Sequence, residues 1–382
     1  MKLRVGRDIL ADAVTWAGRT IPPRPAIPVL SGIHLSADGS GVLSISAYDP
    51  ESTSCVEAAA DVDEAGECLV NGKMLGEICR SLPARPVDMT LDGTRLDIEC
   101  GSASFSLNTM ALEEYPAMPE TPTQIGTVDA ADWQEAVTQV ATAASKDETL
   151  PLLVSICIEI DGENISLLAT DRYRLAVRDL TWQPANPQVK ERILVKASRL
   201  AEIAKAYASS ERVVLSVDQL SDDEGGAVRI LGFEAVGRQN TSRLIDGDYP
   251  QVRSLFPQQV NGHAVVSRSE LLEAIKRSKI VVERNSAVRL SFTDGNVTVE
   301  GGQGGDNAQA KEDVPARLVG EDISMSFNPL YLQDALSVTH GDYVRLSFTN
   351  DEKPVVLSAQ AEEDGEDSPE FRVLLMPIRK LG

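Results

Sequence analysis

The sequence predicts an α+β fold made of three tandem copies of one unit, each with two helices packed on antiparallel sheets. The first sign is a faint, ordered repeat. A short strand and an amphipathic helix open each third of the chain. They lie at Val5-Gly6-Arg7-Asp8-Ile9-Leu10, at Val128 running into Trp133-Gln134-Glu135-Ala136-Val137, and at Val265 running into Leu271-Leu272-Glu273-Ala274-Ile275. Their spacing of roughly 120 to 140 residues is that of an ordinary domain. The second sign is a strand feeding a second helix in each unit, at 68–78, 193–203 and 324–336. The third is a set of alternating runs whose period of two marks half-buried strands.

In order, Lys2-Leu3-Arg4-Val5 reads as a strand and the apolar spacing after Arg7 as a helix. Val42-Leu43-Ser44-Ile45-Ser46 alternates as a strand, and Asn71-Gly72 ahead of Lys73-Met74-Leu75 places an N-cap before the second helix. The middle unit repeats this with Ile165-Ser166-Leu167-Leu168-Ala169 and a helix that takes in Lys196; the last repeats it with a helix after Asn328 and the strand Val344-Arg345-Leu346-Ser347-Phe348. A polar or small residue precedes each second helix. The units are assigned to residues 1–122, 123–257 and 258–382.

With 42% hydrophobic residues the chain can bury sizeable cores. No apolar run approaches the roughly 18 residues of a membrane span, and the first residues lack a signal core, so a soluble cytoplasmic protein is expected. Cys55, Cys68, Cys79, Cys100 and Cys157 form no CxxC pair and are odd in number, which argues against a zinc site and a disulfide framework and for reduced, mostly buried thiols.

A net charge of −22 argues against nucleic acid at first sight, because phosphate binding depends on clustered cations. Local charge differs. Lys73 and Arg80 fall on the second helix of the first unit, Lys196, Arg199 and Lys205 on that of the second, and Arg268, Lys276, Arg277 and Lys279 on the first helix of the third. Acidic residues gather elsewhere, at Asp222-Asp223-Glu224 and along 362–367. Two readings stand: solvated helix faces, or a basic helical lining inside an acidic shell.

Catalytic constellations are absent from the sequence. His34, His263 and His340 sit in different units without metal-ligand spacing. There is no GxSxG elbow, and Asn71-Gly72-Lys73-Met74 lacks the upstream glycine and the following Ser or Thr of a phosphate loop. Gly301-Gly302-Gln303-Gly304-Gly305 reads as a hairpin and Asp161-Gly162-Glu163-Asn164 as a turn. No enzyme, metal or cofactor is expected.

Two segments carry more. Leu168-Ala169-Thr170-Asp171-Arg172-Tyr173-Arg174-Leu175-Ala176 sets two arginines and a tyrosine between apolar strand residues, and the chain closes with Val373-Leu374-Leu375-Met376-Pro377-Ile378-Arg379. A terminal strand with apolar side chains, a flexible thioether and a proline that blocks further pairing suits an adaptable peptide groove.

These segments join others in a family resemblance. Arg24-Pro25-Ala26-Ile27-Pro28-Val29-Leu30, Phe105-Ser106-Leu107-Asn108-Thr109 before Glu114-Tyr115-Pro116, Thr170 to Ala176, Arg243-Leu244-Ile245-Asp246-Gly247-Asp248-Tyr249-Pro250 and Met376-Pro377-Ile378-Arg379 run in register along the whole chain. In that order they resemble the bacterial beta sliding clamps of DNA polymerase III, closest to the actinobacterial type.

The resemblance implies three DNA-clamp domains forming half of a ring, closed head to tail as a homodimer around duplex DNA. Geometry favours a dimer. Six helices spaced about 9 Å apart give a circle roughly 17 Å between axes, which a helix diameter of about 10 Å nearly fills. Twelve give roughly 34 Å between axes and roughly 24 Å clear, enough for a B-form duplex about 20 Å wide.

Weak, sequence-independent phosphate contacts are expected from Arg24, Lys73, Lys196, Arg199, Lys276 and Arg277. Of these, Arg24 and Lys73 sit where the family contacts DNA; the others follow from helix placement. The resemblance also implies a pocket for clamp-binding peptides of the polymerase III alpha subunit, the clamp loader and repair factors. Its matching positions are Leu153, Thr170, Arg172, Tyr173, Arg174, Leu175, Pro250, Leu255, Asn328, Tyr331, Leu374, Leu375, Met376, Pro377, Ile378 and Arg379. In this reading Leu153, Leu175, Leu375 and Met376 receive apolar anchors, and Arg174 and Asn328 orient the peptide backbone.

At the ring seam, Phe105 and Leu107 would face Lys279 and Ile280 of the other protomer. Three departures from the family pattern stand out. Val154-Ser155-Ile156 replaces a frequent Thr-Gly-Val, Val373 replaces an aromatic, and Arg172-Tyr173 replaces the Gly-His of enterobacterial relatives while fitting the actinobacterial pattern. They raise the alternative of a specialised second clamp copy with altered ligand or inhibitor preference. A further alternative is an acidic peptide-binding scaffold that does not encircle DNA.

Overall fold

The structure, a computed structural model, describes residues 1–221, 227–283, 286–302 and 308–378. The acidic triplet at 222–224, the centre of the glycine run at 303–305, and Arg379 lie outside the described residues. Six α-helices are present among those described: α1 (Arg7–Ala17), α2 (Gly72–Ser81), α3 (Ala130–Ala141), α4 (Ala197–Ala206), α5 (Arg268–Lys279) and α6 (Pro329–Val338). They fall two to each predicted repeat. Antiparallel strands make up most of the remainder.

The chain forms two compact units. The first comprises Met1–Ala131, Gln183–Asn186 and Glu202–Leu244; the second comprises Asp132–Trp182, Pro187–Ala201 and Ile245–Gly382. The middle third of the sequence is thus shared between them. Each unit carries one long sheet, of 13 strands in the first and 12 in the second.

One pairing rule recurs in both sheets. In the first unit the strand Arg238–Arg243 pairs with the start of Ser52–Glu64, in register from Ser242 opposite Ser52. In the second the strand Asp367–Leu375 pairs with the start of Arg174–Thr181, from Leu375 opposite Arg174. The last strand of one repeat therefore completes the sheet of the repeat before it. Buried strand faces such as Ile33, Leu35, Leu43 and Ile45 in the first unit, and Phe292, Phe327, Leu346 and Leu357 in the second, supply the cores.

Helix starts follow the N-cap reading in part. The Asn71 side chain accepts from the Met74 amide at 3.0 Å and Asn328 from the Leu330 amide at 2.9 Å. At α3 the Asp129 side chain accepts from the Ala131 amide at 2.9 Å, whereas at α4 backbone replaces the side chain. Lys196 is the last residue of the strand Lys190–Lys196 rather than part of α4, and the Ala197 amide donates to the Val154 carbonyl at 2.9 Å. Lysine has no acceptor to cap with, so the turn just ahead of the strand Ser155–Asp161 supplies one. The chain's last strand also stops early, at Leu375, just before the Met376-Pro377 pair.

Candidate functional site

In the second unit the turn between the strands Asn164–Thr170 and Arg174–Thr181 organises a surface cluster. Asp171 Oδ1 accepts from the Tyr173 and Arg174 amides, both at 3.0 Å, and the Thr170 hydroxyl donates to the Arg174 carbonyl at 2.7 Å. Arg172 is held at φ 80°, a left-handed conformation that a non-glycine residue adopts only where its surroundings fix it. These bonds push Tyr173 outward, 56% exposed, and turn Arg174 inward, 5% exposed.

Burial commits Arg174 to its neighbours. Its guanidinium donates to Asp171 at 3.0 Å and to Asp334 of α6 at 2.8 Å, and lies 4.4 Å from the centre of the Tyr331 ring. Tyr331 in turn stacks on Tyr173, with ring centroids 6.2 Å apart. An arginine expected to orient a partner's backbone is thus already held by two carboxylates and an aromatic face. Asn328 spends its side-chain oxygen on the cap of α6.

Beneath the turn lies an apolar cluster of Cys157, Leu168, Leu175, Val177, Leu194, Tyr249, Val252 and Leu374, with Leu152, Ile245, Phe256 and Met376 packed against it. The Tyr249 hydroxyl accepts from the Thr170 amide at 3.0 Å, and burial drives its pKa upward. The Met376 amide donates to the Tyr173 carbonyl at 2.9 Å, and the Ile378 amide to the Ser326 carbonyl at 2.7 Å. Residues 376–378 are thereby tied to the Tyr173 turn and to the strand Ile323–Phe327.

The predicted pocket residues divide by depth. Thr170, Leu175, Leu374, Leu375 and Pro377 are buried and form the base. Leu153, Asn328, Tyr331 and Met376 are half-buried. Arg172, Tyr173, Pro250, Leu255 and Ile378 are exposed at the rim. Leu175 and Leu375 therefore support the surface, whereas Met376 and Leu153 reach it. Leu330, 50% exposed at the start of α6, together with Leu152, Ile245, Phe256 and Tyr249, was not among the pocket residues read from the sequence. Only Tyr249 carried a signal, in the Tyr-Pro pair it shares with Tyr115.

Cationic positions separate similarly. In the first unit Arg24 and Lys73 are exposed, and among the described residues neither has an ion-pair partner. Lys73 and Arg80 line a groove of ≈ 450 Å³ together with Arg19, which the helix pattern did not single out. In the second unit Lys196 pairs with Glu148 at 2.9 Å, Lys276 with Glu273 at 2.8 Å, and Arg277 with Glu312 at 2.6 Å. Hydrogen bonding to Arg277 holds the Glu312 carboxyl below the usual range, so this pair stays ionised at neutral pH. Arg199 lies half-buried on α4.

The residues assigned to the seam differ in exposure. Ile280 is 82% exposed, Phe105 and Lys279 are half-buried, and Leu107 is 4% exposed within its own unit. Lys279 Nζ donates to Gln333 Oε1 at 3.1 Å. Among the described residues, Ala103–Asn108 of the strand Ala103–Met110 pair on one side only, since Thr109 and Met110 alone reach the strand Gly66–Asn71. The first half of the strand Ala310–Val319 likewise pairs only with Gly295–Gly301; its other side is taken up from Ala316 onward.

Three models of the DNA polymerase III beta subunit match along the chain: the N-terminal domain over residues 1–119, the central domain over 127–251 and the C-terminal domain over 253–378. The chain belongs to the DNA polymerase III beta subunit family, the beta sliding clamps. It is 44% identical over 382 residues to the beta sliding clamp of Streptomyces coelicolor, covering 100% of each. It is 38% identical over 379 residues to the beta sliding clamp homolog GriR of Streptomyces muensis, covering 99% of each. The fold resembles that of the Pseudomonas aeruginosa sliding clamp bound to griselimycin, with a TM-score of 0.90, 22% identity and 99% of each chain covered.

Proposed function

We propose that the chain closes head to tail with a second copy into a ring around duplex DNA. It would tether the polymerase III alpha subunit, the clamp loader and repair factors through short peptides bound at the Tyr173–Met376 surface. The observation that carries this reading is the pairing rule. The last strand of the second repeat completes the first sheet, and that of the third completes the second sheet. The last strand of the first repeat, Ala103–Met110, then needs a third-repeat strand, and within this chain it is paired with none. A second copy offers the half-paired strand that starts at Ala310.

The charge pattern supports loose contact with DNA. Exposed Arg24 and Lys73 can meet phosphates, while Lys196, Lys276 and Arg277 are moderated by adjacent carboxylates. In a clamp, topology holds the protein on DNA, so weak sequence-independent contacts suffice and strong ones would hinder sliding. The work is non-catalytic and in the cytoplasm.

The departures from the family pattern mostly sit below the surface. Val154, Ser155, Ile156 and Val373 are all buried, so they act on a ligand only through packing. That favours the general clamp over a specialised copy. Sedimentation tests the reading: a species of twice 41.1 kDa is expected, reduced to one chain by Ile280→Asp combined with Phe105→Asp. A monomeric wild-type chain at micromolar concentration would contradict it.

A further inference from the structure

The first unit repeats the architecture of the Tyr173–Met376 surface at its own strand junction. The Tyr115 hydroxyl accepts from the Tyr48 amide at 2.8 Å, as Tyr249 accepts from Thr170. Asp49 Oδ1 accepts from the Glu51 amide at 2.9 Å, as Asp171 does from Tyr173. An apolar cluster of Val29, Leu30, Leu69 and Tyr115 underlies it. A groove of ≈ 450 Å³ opens here, with Met118 and Ile230 among its apolar lining.

The chemistry of the rim is reversed. Where the second unit has Arg172, Tyr173 and Arg174, this turn has Pro50, Glu51 and Ser52. Asp49, Glu51 and Glu120 line the groove against one cation, Arg243. Among the described residues none of these four has an ion-pair partner. Ser52, 4% exposed and part of the lining, keeps a buried hydroxyl with no hydrogen-bond partner.

We propose that this groove is a second docking site, for an extended peptide segment with an apolar anchor flanked by lysine or arginine. Three carboxylates facing one arginine select a basic segment, and the apolar lining seats its anchor. The inference rests in part on reading the second unit's surface as a peptide pocket, since the likeness of the two junctions suggests the occupant's form.

The test uses two labelled probes on the full chain, read by fluorescence anisotropy. Acetyl-Lys-Leu-Phe-Lys-amide should bind, and Glu51→Lys with Glu120→Lys should weaken it about fivefold or more, the more so at low salt. Arg243→Ala should tighten it, a gain that misfolding cannot imitate. Met376→Ala should leave it unchanged. Acetyl-Glu-Leu-Phe-amide reports the other surface, and its response to Met376→Ala tests that reading separately. A basic probe that fails to bind, that ignores the paired reversal, or that weakens only with Met376→Ala overturns the second site whatever the acidic probe does.

Discussion

Arg174 shows how one side chain holds the candidate surface together. Its guanidinium sits between Asp171 and Asp334 and under Tyr331, so Arg174→Ala leaves two carboxylates facing each other without their cation. A loss of about 2–4 kcal/mol is expected, read from the urea midpoint, together with weaker binding of partner peptides. Buried thiols give a second residue-scale prediction. Burial pushes Cys68 and Cys79 up to about 12. A folded-state pKa raised above the unfolded one contributes stability that is complete below about pH 8.5 and is lost as pH rises toward the folded value. Urea midpoints should therefore fall between pH 8 and pH 10, less so in Cys68→Ser with Cys79→Ser. In the native chain at pH 8, iodoacetamide should label these two thiols far more slowly than in urea, as mass spectrometry can read.

Among the elements, the hairpin joining Ala227–Ala235 to Arg238–Arg243 turns through Val236 at φ 51°. A β-branched residue is strained there, and at 85% exposure Val236 packs on little. Val236→Gly should raise stability by about 0.5–1 kcal/mol, visible as a higher Tm; a fall would show that its side chain makes contacts worth more than the strain. Helices and alternating strands were legible in sequence because their periods are local. The start of α4 was not, because Lys196 ends a strand and a backbone carbonyl does the capping. Nor was the depth of Leu175, Leu375 and Leu107. Alternation shows that one strand face is buried, but which pocket residues lie beneath the surface depends on partner strands far along the chain. The Tyr249 hydroxyl bond escaped for the same reason, as did the burial that turns Arg174 from a surface group into a brace.

For the molecule as a whole, the threefold repeat was readable from its helices, while the rule that links the repeats emerges only from strand pairing. Among the described residues the first parts of Ala103–Met110 and Ala310–Val319 are paired on one side only, and in the proposed ring a second copy would complete each. The proposed ring would reconcile a net charge of −22 with a role on DNA, since enclosure would replace affinity. The direct measurement is retention after loading onto a nicked circular plasmid, followed by gel filtration with and without a single linearising cut. The account predicts that the protein stays with the circle, including in salt that abolishes ordinary phosphate binding, and is lost when the DNA gains free ends. Equal retention on circular and linear DNA, or release from the circle as salt rises, would contradict it.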